Sequence, residues 1–157
     1  MTLYARVEYG NVIETRAELP RSTETISNFY LLPESQRRMN GWYTVTEDTR
    51  TCPEFYTEAV SYSMVAGDVV QTKTFTAIPL NEAKAALLQR VKSKASKEIL
   101  DTVPQFKQIN AALGIYSPEV TASIKDIITQ HKTWADEMET LISQASSVDD
   151  LSQIQVE

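Results

Sequence analysis

The chain holds one cysteine, Cys52, among its 157 residues, so an internal disulfide and any multi-cysteine zinc site are excluded. With Pro53 beside it, Cys52 reads as a small loop or strand residue, since a nucleophile needs an activated thiolate. Histidine is as scarce: His131 stands alone, and paired-histidine metal motifs are therefore absent. Only four glycines occur, each placed as a turn or a helix stop, which leaves nothing for a glycine-rich phosphate loop. Long apolar runs are missing too, and Met1 to Tyr9 alternates and carries Arg6 and Glu8. Neither a membrane span nor a signal peptide is expected, and the protein reads as soluble. There is no surplus of positive charge: the net charge is -6, shared evenly between the halves on either side of Pro79. Nucleic acid and anionic membranes are poor partners for such a chain. Internal repeats are absent, which excludes solenoids and propellers.

What is present is 42% hydrophobic content, enough for one compact domain or two small unequal pieces. Residues Thr2 to Arg16 predict a β-hairpin, with Leu3, Ala5, Val7 and Tyr9 on one face and a type II′ turn at Gly10-Asn11. A polar connector broken by Pro20 follows, then an apolar anchor at Asn28 to Leu32 and a short helix over 33–40 that opens on Pro33 and stops at Gly41. Trp42 to Thr46 predicts a strand. Phe55 to Val65 and Val69 to Ile78 predict a second hairpin, one side of which is wet because Ser61 and Ser63 alternate with Val60, Tyr62 and Met64. Its exposed edges need covering or serve to dock another chain.

Pro79 ends the β-rich part, and the composition turns to helix formers. Ala83, Leu87, Val91, Ala95 and Ile99 recur at steps of four along a helix over 80–100. A short helix over 104–113 and a long one over 118–145 follow, the latter with Ser117 as its N-cap and Pro118 in its first turn. On the long helix Val120, Ile124, Ile127, His131, Trp134, Met138, Leu141 and Ala145 form a seam of period 3.5, flanked by Ile128, Ala135 and Ile142. The expected fold class is α+β: a small N-terminal antiparallel β-hairpin region (1–79) followed by a C-terminal antiparallel helical hairpin (80–146), with a polar tail over 147–157.

No catalytic constellation assembles from these residues. His131 has Ile127 and Ala135 as its i−4 and i+4 neighbours, so no carboxylate on its own face orients it, and it reads as a polar registration point in a packed seam. Glu47-Asp48 and Asp136-Glu137 are adjacent in sequence and point in different directions, so neither pair is an acid-base site. The aromatic residues Tyr4, Tyr9, Trp42, Tyr43, Phe55, Tyr56 and Tyr62 lie in a part with little basic charge and read as core or protein interface rather than a base-stacking platform. No enzyme activity, cofactor or metal is expected.

Taken in order, the Tyr4-Ala5-Arg6-Val7-Glu8-Tyr9-Gly10-Asn11-Val12 hairpin, the Gly41-Trp42-Tyr43 strand, Ser61-Tyr62-Ser63-Met64 with Gly67-Asp68-Val69-Val70, and Ile78-Pro79-Leu80 before a Lys/Ala-rich helix resemble small tail proteins of tailed bacteriophages. Pro104-Gln105-Phe106-Lys107-Gln108-Ile109-Asn110-Ala111 resembles a Pro-x-x-Lys-Gln-x-Asn-Ala signature of that group. Phe106 stands where the group usually has Trp, and Thr44 where it often has Pro. The resemblance implies a non-enzymatic adaptor, synthesised in the host cytoplasm and built into the virion tail, that attaches the tail fibre to the tail or baseplate. The alternatives are a tail-fibre assembly chaperone absent from the virion and a small tail-borne hydrolase. Partners are then a fibre or baseplate protein, with a homo-oligomer also admitted. Protein contacts are expected at Trp42, Tyr43, Tyr62, Phe106, Lys107, Gln108, Asn110, His131 and Trp134. The polar stretch from Ser143 to Glu157 frays unless tied down, so a partner is expected to hold it at Leu151, Ile154 and Val156.

Overall fold

The computed structural model describes residues 2–156, and the chain forms two compact units, Met1–Thr76 and Ala77–Glu157. The architecture is mixed α and β, with a five-stranded sheet larger than two separate hairpins.

The first unit contains β1 (Tyr4–Glu8), β2 (Asn11–Arg16), a 3-10 turn (Phe29–Leu31), α1 (Glu34–Met39), β3 (Trp42–Thr46), β4 (Tyr56–Val65) and β5 (Asp68–Ala77). Their order in the sheet is β2-β1-β3-β5-β4. β1 runs antiparallel to both β2 and β3, whereas β3 and β5 are parallel, pairing Val45 with Val69 and Thr46 with Val70. A sequence reading confined to neighbouring strands has no access to that parallel pair.

The first hairpin turns one residue earlier than its Gly-Asn dipeptide predicts. Tyr9 (φ 52) and Gly10 (φ 81) are both left-handed, which makes the loop type I′ and leaves Asn11 as the first residue of β2. A bulge follows, because Arg6 faces Glu14 while Val7 faces Val12; Ile13 is the extra residue and lies half exposed rather than returning to the core. Gly41 is required where it stands. Its φ is 78, its carbonyl accepts from the Val7 N–H at 2.7 Å, and an added Cβ would meet the Val7 oxygen at 2.7 Å.

Ala5, Val45 and Val69 are the buried centre of one face, with Leu3, Val7, Val12, Tyr43, Tyr62 and Met64 packed around them. Val12 comes from one edge strand and Tyr62 and Met64 from the other, so the sheet curls until β2 and β4 approach. Strand alternation turns Trp42 to the opposite face from Tyr43 and Val45. There it is buried, with its ring centroid 6.3 Å from that of Phe29 in a tilted arrangement.

The second unit contains α2 (Leu80–Thr102), α3 (Gln105–Ala112), α4 (Pro118–Gln144) and α5 (Val148–Ser152). α2 buries Ala83, Leu87, Val91 and Ala95 of the stripe its spacing predicts, and Ile99 at its end is half-buried. It packs along α4, with rising numbers on one meeting falling numbers on the other. Lys84 Nζ donates to the Ser143 carbonyl at 2.8 Å, Lys92 lies 3.8 Å from Glu139, and Glu98 lies 3.2 Å from His131.

On α4 the buried residues are Ile124, Met138 and Ile142, while Val120 and Leu141 are 46% and 51% exposed. The packed line therefore runs Ile124, Ile128, His131, Ala135, Met138, Ile142. The expected seam was rotated by one residue toward its own flank. Both lines have period 3.5, so periodicity cannot choose between them; the small Ala135 lets two backbones approach, which a Trp134-Leu141 line does not.

The polar tail is a helix. Ser147 caps α5 through a capping box with Asp150, Val148 and Leu151 are buried, and α5 packs on α2. Leu151 is thus held by its own chain, a correction to the expectation that a partner holds it. Among the described residues no helix is long and apolar enough to cross a membrane.

The rotated seam fixes an asymmetry measurable by urea denaturation. Met138→Ala is expected to cost about 2–5 kcal/mol, the range for deleting a buried Met side chain. Leu141→Ala, on the outer face, should stay within about 0.5 kcal/mol.

Candidate functional site

The run from Pro104 to Ala111 is both the corner of the helical unit and the most distinctive stretch of the sequence. Two of its polar residues, Gln108 and Asn110, work inward. Gln108 Nε2 donates to the Val103 carbonyl at 2.7 Å, tying α3 to the end of α2, and Asn110 Nδ2 lies 3.4 Å from the Tyr116 hydroxyl, tying α3 to the approach to α4. Ala111 is buried with Val103 and Ile124, and Tyr116, Ile127 and Ile128 close over them. Gln108 and Asn110, expected as partner contacts, are therefore parts of the corner itself.

Phe106 and Lys107 face outward. Phe106, Ile109 and Leu113 are 59%, 50% and 70% exposed, and their spacing of three and four puts them on one side of α3. Ile115 in the following turn and Val120 at the start of α4 are also exposed, at 63% and 46%. Single exposed apolar residues are ordinary, but three on one side of a short helix are a candidate protein contact.

A groove of about 420 Å3 runs between α2 and α4 and reaches Gln108. Leu88, Val91, Ala95, Ile99, Ile128 and Ala135 form its apolar floor. Lys92, Lys132, Asp136 and Glu139 stand along its rim.

His131 joins a polar cluster that bridges the two helices. Its Nδ1 is 3.2 Å from one oxygen of Glu98, whose other oxygen is 2.6 Å from Lys94 Nζ. Lys94 in turn lies 5.7 Å from the centre of the Trp134 ring. The Lys94 ammonium first, and His131 second, hold the Glu98 carboxyl below the ordinary carboxylate range. Sequence neighbours offered His131 no carboxylate; the orienting group comes from the facing helix. Through Glu98 and His131 the cluster ties α2 to α4.

In the first unit, Trp42 is only 5% exposed and is core rather than contact surface. Tyr43 lies half-buried under the Arg38 guanidinium, 5.5 Å from its ring centre. Glu34 and Asp68 hold that guanidinium at 2.9 and 2.6 Å, and the Gly67 carbonyl accepts from it at 3.2 Å. The Tyr62 hydroxyl accepts from Gln71 Nε2 at 3.2 Å. Ile154, beyond α5, is half-buried.

A constellation that sequence reasoning missed lies beside β5. Asp48 Oδ2 accepts the Lys73 backbone N–H at 3.0 Å, Arg50 Nη2 donates to the Lys73 carbonyl at 2.6 Å, and Lys73 Nζ returns to the Arg50 carbonyl at 3.0 Å. Arg50 and Asp48 also pair with each other at 2.6 Å. Two side chains thereby do for Lys73 what a neighbouring strand would do. Arg50 foremost, then the Lys73 and Arg50 backbone N–H groups, hold Asp48 far below the usual carboxylate range. Nothing in an Asp-x-Arg loop marks this role, because it depends on where β3 stops.

Among the described residues no three His, Cys, Asp or Glu side chains are placed to hold a metal ion. Protein-family models, curated proteins and solved structures give no match to this chain.

The Asp48 bracket has a pH signature. A carboxyl whose folded-state pKa is depressed contributes stability above its unfolded value, and that contribution is lost as the pH falls toward the folded value. Asp48→Ala should therefore lower the melting midpoint at pH 7. The gap to the wild type should narrow below roughly pH 4, where the carboxyl of the unfolded chain protonates.

Proposed function

We propose that this chain is a non-enzymatic component of a bacteriophage tail, an adaptor that binds the tail fibre and attaches it to the tail or baseplate. The observation that supports it most is the outward apolar surface of α3 and its flanks. The stretch that resembles the phage signature builds a rigid corner from Gln108, Asn110 and Ala111 and displays Phe106 with Ile109 and Leu113. An aromatic anchor ringed by aliphatic groups on a fixed scaffold is the composition of an interface centre.

In this reading the second unit works as an antiparallel helical hairpin, with α2 and α4 as its arms and α3 as the corner that meets the partner. Phe106 stands in for the Trp usual at this place in the group, and either residue supplies a large apolar anchor. His131, Glu98, Lys94 and Trp134 keep the arms in register behind it. The virion tail is the proposed location.

Mass spectrometry of purified virions tests the adaptor reading, which requires the chain to be present at a fixed ratio to the fibre protein. Virions without it would overturn that reading in favour of the assembly chaperone. The surface is tested by Phe106→Asp with Leu113→Asp. This pair should abolish co-purification with the fibre or baseplate protein while leaving the far-ultraviolet circular dichroism and the melting midpoint close to wild type. Co-purification that survives both charges would place the contact elsewhere.

A further inference from the structure

Residues 17–28 connect β2 to the Phe29–Leu31 turn and line two cavities on the side of the sheet that carries Tyr4, Arg6, Arg16 and Trp42. In the first, of about 510 Å3, both guanidiniums are already matched. Arg6 pairs with Glu8 at 2.6 Å, and Arg16 pairs with Glu14 while its guanidinium stands 5.9 Å from the centre of the Trp42 ring. Asn40 Nδ2, on the same wall, donates to the Gln36 carbonyl at 2.8 Å.

The second cavity, of about 740 Å3, is the reverse. Glu18 and Arg21 line it three residues apart and form no ion pair with each other. The Asn28 amide and the hydroxyls of Tyr4 and Tyr30, also on its wall, have no hydrogen-bond partner among the described residues. The frame around these groups is fixed. The Arg21 carbonyl accepts the Phe29 N–H at 2.9 Å, the Ile26 carbonyl accepts the Thr23 N–H at 2.9 Å, and Phe29 itself is fully buried. Arg37 lies 5.4 Å from the centre of the Tyr4 ring and backs that wall.

We propose that this cavity binds a free α-amino acid with an apolar or aromatic side chain. A cation and an anion that line one cavity and leave each other unpaired are complementary to a ligand that carries both charges. Arg21, with the Asn28 amide next to it, receives the carboxylate on its two-pronged donor fork. Glu18 receives the ammonium. Leu19 and the rings of Tyr4 and Tyr30 accept the side chain. The volume lies within the roughly 300–1,000 Å3 of small-molecule sites. A chain terminus supplies only one of the two charges, and an organic phosphate brings two negative charges up to Glu18. Arg21 and Glu18 are exposed, so their ion pairs with the ligand are weak and the dissociation constant is of the order of 1 mM. This inference is independent of the tail-adaptor reading.

Nitrogen–proton NMR of the labelled full chain, titrated with L-phenylalanine up to about 20 mM, some twenty times that constant, tests it. The wild type should show saturable shifts confined to Tyr4 and residues 17–30. The analogues 3-phenylpropanoate, which lacks the ammonium, and phenethylamine, which lacks the carboxylate, should each bind at least tenfold more weakly. Arg21→Gln and Glu18→Gln change exposed side chains, and unchanged signals elsewhere in the spectrum report that the fold is kept. Each should weaken phenylalanine at least tenfold. Arg21→Gln should not weaken phenethylamine further, nor Glu18→Gln 3-phenylpropanoate. Absence of a saturable shift at 20 mM overturns the proposal. So does phenylalanine binding that survives either substitution, or an analogue that binds as tightly as phenylalanine.

Discussion

Backbone N–H and C=O groups that leave water have to be paired, and in the first unit this requirement meets strands of unequal length. β3 has five residues and its neighbour β5 has ten. Where β3 stops, β5 would present an unpaired row. The chain answers with side chains: it folds the 47–53 loop back so that a carboxylate and a guanidinium stand where a strand would have been. That loop can return only because β3 runs parallel to β5 and ends beside it. The parallel pair, the bracket and the long ribbon are thus consequences of one mismatch.

The helical unit is governed by a different constraint, the distance at which two helix axes can approach. Ala83 and Ala95 on α2 and Ala135 on α4 are small enough to let the backbones near each other, while Leu87, Val91, Met138 and Ile142 fill the space between them. Polar groups flank this contact: Lys92 and Glu139 stand along the groove, and Lys94, Glu98 and His131 satisfy one another. No buried charge is left unmatched there, and the cluster fixes the relative placement of the two helices more than it adds stability.

Much of this was legible from residue order. The α2 stripe, Pro118 in the first turn of α4, Ser117 as a cap and Gly41 as a stop all follow from local rules that depend on a few adjacent residues. What stayed hidden depends on distant partners. Which of two equally periodic lines on α4 would face inward was decided by Ala135 meeting another helix. Glu98 became the companion of His131 only through the packing of α2 on α4. The bulge at Ile13 shows the same limit on a smaller scale, since two adjacent β-branched residues, Val12 and Ile13, carry no mark of which one is left over. Among the expected contact residues, the exposed Phe106 and Lys107 could be separated from the inward Gln108 and Asn110 only once the corner had a shape.

The burial of Leu151 also sets a schedule. α5 packs on α2, yet it is synthesised roughly 60 residues after the middle of that helix, which at about 5–20 residues per second is a delay of some 3–12 s. During that interval the stripe of Ala83, Leu87 and Val91 lacks its last cover. The first unit, complete by Thr76, is free to fold in the meantime. The helical unit instead passes through a period in which its inner face is open to water and to any chain nearby, and its closure is a late event in the making of the protein.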